Sequence, residues 1–155
     1  MNIFRGPSTL VLTINGERRK VVVEPHETLL DLLRSPQVGL TGAKPGCENG
    51  DCGACTILLN QKPAKSCMMF AVDAEGQDLV TVEGLVDAPV QRAFLDHFAF
   101  QCGYCTSGFL MAAQALLLTI PHPDPHQITE WLRSNICRCT SYEEILQAVR
   151  EASER

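Results

Sequence analysis

Eight cysteines in a chain of 155 residues constrain this fold more than any other feature, because they fall into two groups of four. Three of the first group crowd into "GCENGDCGACT" at 46–56: Cys47, Cys52 and Cys55, interleaved with Gly46, Gly50 and Gly53. Cys67 is the next thiol along the chain and completes the pattern C-x4-C-x2-C-x11-C. C-x4-C-x2-C…C is the plant-type spacing of a [2Fe–2S] cluster. The chemistry accounts for the glycines. An anionic cluster needs four thiolates converging from one side and backbone N–H groups turned toward its sulfurs. Glycine lets the chain wrap closely and take positive φ. Zinc also takes four thiolates, although its loops usually carry C-x2-C on both sides. Zinc and disulfide pairing stay open as alternatives.

The second group is Cys102, Cys105, Cys137 and Cys139, in "QCGYCTSG" and "NICRCTSY". Its pattern, C-x2-C…C-x-C, is less specific, and zinc stands as a stronger alternative here. Each pair precedes a helical stretch. Helix N-termini carry free N–H donors and partial positive charge, which favour thiolates and an anionic cluster. Two helix starts facing each other would hold one cluster between them. All eight thiols are then used, which supports two four-thiolate sites. An oxidising compartment would pair these thiols as disulfides, whereas a reducing cytosol leaves them for metal or redox chemistry. The opening stretch "MNIFRGPSTLVLTINGERRK" lacks the apolar core and cleavage site of a signal peptide, so a cytoplasmic protein is expected.

Composition narrows the partners. Hydrophobic residues make up 45%, enough for a packed core. Net charge is 13 − 18 = −5, and the longest basic tract is "ERRK" at 17–20, which argues against nucleic acid. The longest apolar run, "GFLMAAQALLLTI" at 108–120, is too short to span a bilayer and is interrupted by Gln114. There is no glycine-rich phosphate loop and no Ser–His–Asp set, so no catalytic residue is expected on this chain.

The first half reads as α+β. "STLVLTI" (8–14) and "RKVVVE" (19–24) are strands joined by the hairpin signal Asn15-Gly16. "PHETLLDLLRS" (25–35) predicts a short helix capped by Thr28, with Leu29, Leu30, Leu32 and Leu33 as its apolar face. "TILLN" (56–60) and "QDLVTVEG" (77–84) predict further strands. Beyond residue 84 the texture turns helical, with helices over 89–100 and 107–119. A third is capped by Asp124 with Pro125 at its first position, and buries Ile128, Trp131 and Leu132. Ser141 and Glu144 predict a capping box for the last helix, whose stripe is Tyr142, Ile145, Leu146 and Val149. The change of period places a domain boundary near 84–89. His97, His122 and His126 read as ordinary helix or loop histidines. Met68 and Met69 read as apolar shielding of the first site, and Tyr104 as a packing residue. Arg138 either offsets cluster charge or meets a partner's carboxylate.

"GCENGDCGACTILLN", "TVEGL", "QRAF", "QCGYCTSGFLMAAQALL" and "NICRCTSY", in this order, resemble the small iron–sulfur subunit of the molybdenum hydroxylases, the family of xanthine dehydrogenase, aldehyde oxidoreductase and carbon monoxide dehydrogenase. The resemblance implies an α+β chain: a β-grasp, plant-type ferredoxin domain over 1–84, then a four-helix-bundle domain over 85–155, with one [2Fe–2S] cluster in each. It implies a large molybdopterin-binding subunit as partner and often a medium FAD subunit. Two electrons from substrate oxidation at molybdenum leave singly through the helical-domain cluster and then the ferredoxin-domain cluster. In the family the Gln before the first helical-domain cysteine and the last cysteine lie beside the pterin, positions held here by Gln101 and Cys139. Two departures stand out: Ser107 replaces the usual Pro after C-G-x-C-T, and Ser141 replaces a Gly after C-R-C-T. Neither position is a ligand. Ser107 is expected to cap a helix. The rival reading is a free-standing two-cluster ferredoxin, which would expose a charged docking face. An obligate subunit would expose apolar surface on its helical domain, and Phe94, Phe98 and Phe100 lean toward that.

Overall fold

Alternation of apolar and polar residues builds the first strand pair. In β1 (Ser8–Ile14) the inward residues Leu10, Leu12 and Ile14 are buried. β1 runs antiparallel to β2 (Glu17–Val23), which buries Val21 and Val23. Asn15 and Gly16 both take positive φ, as a two-residue hairpin turn requires. The computed structural model describes residues 6–155. The first five residues, part of the opening stretch and of the first expected domain, lie outside the described residues.

The first helix, α1 (Leu29–Arg34), starts at its expected cap: the Thr28 hydroxyl accepts from the Asp31 N–H, and residues 25–28 form the approach turn. All four leucines are buried, so this single helix carries one wall of the core. β3 (Thr56–Leu59) pairs antiparallel with β4 (Lys62–Lys65) across a turn in which Asn60 and Gln61 take positive φ. β4 escaped the sequence reading, since "KPAK" carries a proline and two lysines. That composition suits an edge strand, and β4 is one. β5 (Asp78–Val80) is shorter than expected. After it the Asn15 amide bonds both the N–H and the hydroxyl of Thr81, and Val82–Gly84 closes into a 3₁₀ turn. The sheet order is β2-β1-β5-β3-β4, with β1 and β5 parallel and all other pairs antiparallel. This is the α+β grasp architecture.

Four helices follow. α2 (Pro89–Asp96) stops short of the expected residue 100. Phe98 takes φ 50, its N–H donates to the Leu95 carbonyl, and the Ala99 N–H donates to the Phe94 carbonyl. That is a Schellman stop with phenylalanine in the usual glycine position. α3 (Thr106–Thr119) is buried along most of its length. α4 (Pro125–Leu132) has the expected reciprocal box between Asp124 and Gln127, and buries Ile128 and Leu132. α5 (Tyr142–Ala152) starts at Ser141, whose hydroxyl accepts from the Glu143 N–H and donates to the Glu144 carboxylate. The Glu144 side chain therefore meets the serine hydroxyl and not the cap N–H of a full box. His97 contacts the Glu151 carboxylate, and His122 the Ser153 carbonyl.

One apolar core lies between the sheet and α1, a second among α2–α5. Leu58 on β3, with Met111 and Ala115 on α3, joins them. Among the described residues no helix is long and apolar enough to cross a membrane.

Candidate metal centres

The loop between α1 and β3 carries Cys47, Cys52 and Cys55, and a 3₁₀ turn at Ser66–Met68 brings Cys67 beside them. The Cys55 and Cys67 sulfurs are 3.3 Å apart. The Cys52 N–H donates to the Cys47 sulfur at 3.2 Å. The N–H groups of Asn49, Cys52 and Asp51 lower the Cys47 thiol to about 7. A Cβ on Gly46 would lie 2.6 Å from the Cys52 sulfur, so only glycine lets the backbone pass this close.

Cys102 and Cys105 follow α2, with Cys105 as the cap residue of α3, while Cys137 and Cys139 lie in the α4–α5 loop. Of the two expected helix starts, the structure uses one directly, since Cys139 comes two residues ahead of the Ser141 cap. The Cys102 and Cys139 sulfurs are 3.7 Å apart. Cys105 pairs with Cys137. The Thr140 N–H donates to the Cys137 sulfur at 3.4 Å, and the Tyr104 N–H lowers the Cys102 thiol. Tyr142 supports this loop: its hydroxyl accepts from the Cys137 N–H at 2.9 Å, and its ring packs edge-on against Phe109.

The donor set fits two binuclear clusters. All eight thiols are free, and these sulfur separations are far beyond the ~2.05 Å of a disulfide. They approach the ~3.8 Å edge of a tetrahedron with ~2.3 Å metal–sulfur bonds. The thiols pair two and two at each site, the arrangement in which two irons would take two thiolates each. Burial and the adjoining thiol push Cys67 up to about 11 and Cys105 up to about 12. Buried thiolates at such spacing need cations to replace their protons.

The two sites touch. The Ile136 N–H donates to the Cys52 carbonyl at 2.9 Å, and the Asn135 amide to the Gly53 carbonyl at 3.1 Å. Cys52 joins Cys102, Cys105, Cys137 and Cys139 in lining one surface cleft with Tyr104, Ile136 and Arg138. Of its lining, Cys102, Arg138 and Cys139 are exposed, and so is Gln101, the residue before Cys102. Ser107 does not cap α3. Its hydroxyl donates to the Gly42 carbonyl at 2.6 Å and accepts from the Lys44 ammonium at 2.8 Å, tying the two cores together. Phe94 is core, Phe98 is exposed and Phe100 half-buried. Met69 packs on the first core while Met68 is exposed, so only one of the pair buries itself. Tyr104 bonds the Pro45 carbonyl. Lys44, Lys65 and Asn135 were missed by the sequence reading. Their place next to cysteines was the available signal, but their partners are some 60 to 80 residues distant.

The sequence matches the family described as the 2Fe-2S iron-sulfur cluster binding domain over residues 12–81 and the [2Fe-2S] binding domain over residues 81–150. It is 49% identical over 142 residues to the nicotine 6-hydroxylase small subunit of Paenarthrobacter nicotinovorans, covering 90% of this chain and 86% of that one. It is 45% identical over 151 residues to the nicotinate dehydrogenase small FeS subunit of Eubacterium barkeri, covering 95% and 96%. Among solved structures it superposes on quinoline 2-oxidoreductase from Pseudomonas putida 86 with a TM-score of 0.92 at 43% identity, over 96% of this chain and 95% of that one.

Proposed function

This chain belongs to the family of small two-cluster [2Fe–2S] subunits of the molybdenum hydroxylases, and from that premise we propose how its residues divide the work of electron transfer. Cys47, Cys52, Cys55 and Cys67 hold one [2Fe–2S] cluster, and Cys102, Cys105, Cys137 and Cys139 hold the other. When bound, the clusters supply one-electron relay between the hydroxylating site of a larger subunit and FAD or another acceptor. The pairing of eight free thiols two and two at adjoining sites carries this reading.

The chain's own residues supply position and environment. Backbone N–H groups of Asn49, Asp51 and Cys52 face the Cys47 sulfur and that of Gly50 the Cys67 sulfur, and those of Thr140 and Tyr104 serve the second set. Such donors stabilise thiolate charge and help set potential. The link from Ile136 to Cys52 fixes the two sites in register. We take residues 1–84 as the ferredoxin domain and 85–155 as the helical domain. A large molybdopterin-binding subunit meets the cleft rim, with Gln101 and Cys139 against its pterin, and a medium FAD subunit receives the electrons. The exposure of Cys102, Tyr104, Ile136 and Cys139 around one cleft, with Gln101 exposed next to Cys102 in the chain, supports that docking face. A reducing cytoplasm keeps eight thiols available for iron. The substrate is set by the partner, which holds the hydroxylating site.

Affinity purification of the tagged chain tests the assembly. Larger chains carrying molybdenum and flavin should come down with it in fixed ratio. Recovery of the chain alone, with iron but no partner, favours the free ferredoxin instead.

A further inference from the structure

α2 ends on a phenylalanine that the fold holds out of both cores. Phe98 is 77% exposed and sits at φ 50, a left-handed conformation that is costly for a bulky side chain. Its neighbours fix it there. The Phe98 N–H donates to the Leu95 carbonyl at 3.2 Å, the Ala99 N–H to the Phe94 carbonyl at 3.0 Å, and the Phe100 N–H to the Phe98 carbonyl at 2.7 Å. Phe94 and Ala99 are both buried, so the turn is held on either side and the ring stays in solvent. Glycine or asparagine would make the same turn with less strain and no exposed ring. Backbone strain of this kind gathers at binding and catalytic sites. Leu95, one turn back, is 61% exposed. The charges around this apolar pair are matched within the chain: Asp87 with Arg92, Asp96 with Arg155, and His97 with Glu151. An occupant therefore meets an apolar centre and a polar rim whose charges need no new partner. The patch also adjoins the second thiol site. Phe98 stands four residues before Cys102, so even an extended chain keeps the two within about 14 Å. An interface footprint of standard size, about 800 Å² a side, is a disc roughly 30 Å across and spans both.

We propose that Phe98, with Leu95 beside it, is the apolar anchor on which the large partner subunit seats, the ring entering an apolar pocket of that subunit while the surrounding surface covers the cleft of the second thiol set. This rests on the reading of the chain as an electron-transfer subunit. Large aromatic side chains dominate the binding energy of many interfaces and lose little conformational freedom on docking. Here the turn fixes the backbone before the partner arrives, which lowers the ordering cost of association. Docking then gives the ring the apolar contacts that the free chain withholds, and so offsets the strain at position 98.

The test is dissociation of the intact complex under serial dilution, the complex being recovered through a tag on this chain, for Phe98→Asn, Leu95→Gln and Val22→Thr. Phe98→Asn keeps the turn and removes the ring. It should hold its iron and both paramagnetic signals and unfold at no lower urea concentration than the unmutated chain. It should nevertheless release the large subunit at a protein concentration at least tenfold higher. Leu95→Gln should weaken the complex in the same direction by a smaller factor. Val22→Thr removes exposed apolar surface from the outer strand β2 and should leave the complex unchanged. Release of the large subunit by Phe98→Asn at the unmutated concentration overturns the proposal, as does an equal weakening in Val22→Thr. If Phe98→Asn loses iron or unfolds more readily, Leu95→Gln decides, and undiminished binding there overturns it. Self-association of the unmutated chain that Phe98→Asn abolishes would make a second copy the occupant and also overturn it. An unmutated chain that carries iron yet brings down no larger chain removes the subunit reading itself and the anchor with it, a result seen before any variant is made.

Discussion

A methyl group at position 46 would stand 2.6 Å from the Cys52 sulfur, closer than real side chains come. Gly46→Ala should therefore displace Cys52 and empty the first site while leaving the second, which lies on other elements. Iron content near half that of the unmutated protein, with one paramagnetic signal surviving, is the expected outcome; full iron would show that the loop has slack. Cys102→Ser makes the complementary cut. Its sulfur pairs with Cys139 at 3.7 Å, so its loss should abolish the second-site signal and spare the first. Loss of neither signal would refute its role as a ligand. The cysteines were legible in the sequence because ligand spacing within a loop is local. Lys65 and Asn135 were not, because what gives them meaning is a bond to the other half of the chain. Ser107 was misread for the same reason: a serine near a helix start suggests a cap, and only the fold shows Gly42 and Lys44 beside it.

At the scale of elements, the strands and helices with a plain apolar pattern were legible, β1 to its exact ends, while the far ends of α2 and β5 were not. β1 and β2 follow apolar alternation, α4 has a marked cap, and α3 is a continuous apolar run. β4 has no apolar pattern because an edge strand needs none. α2 was read too long because its stop has no glycine: Phe98 sits at φ 50 and is 77% exposed. A left-handed conformation costs a side-chain-bearing residue roughly 1–2 kcal/mol, less for asparagine. Phe98→Asn should raise the unfolding free energy of the chain by about 1 kcal/mol in urea titration. A loss of stability would show that the exposed ring packs better than its solvent contact implies.

Across the whole molecule, two cores are pressed together along α3 and the first cysteine loop. Gly108 on α3 lies so close that a Cβ would meet the Gly53 carbonyl oxygen at 2.1 Å, and that atom is backbone. Gly108→Ala must push α3 off the loop and should cost about 2 kcal/mol in unfolding free energy, in the range of overpacked cores. Unchanged stability would mean that the two halves do not bear on each other. The same contact brings Cys52 to Ile136, so the packing that stabilises the chain also joins the two thiol sets. The account stands on those sets forming two separate binuclear clusters. Protein purified without oxygen and assayed for iron, zinc and acid-labile sulfide should hold about four irons and about four sulfides per chain, with two distinct signals on reduction. A colourless protein holding zinc and no labile sulfide would contradict it.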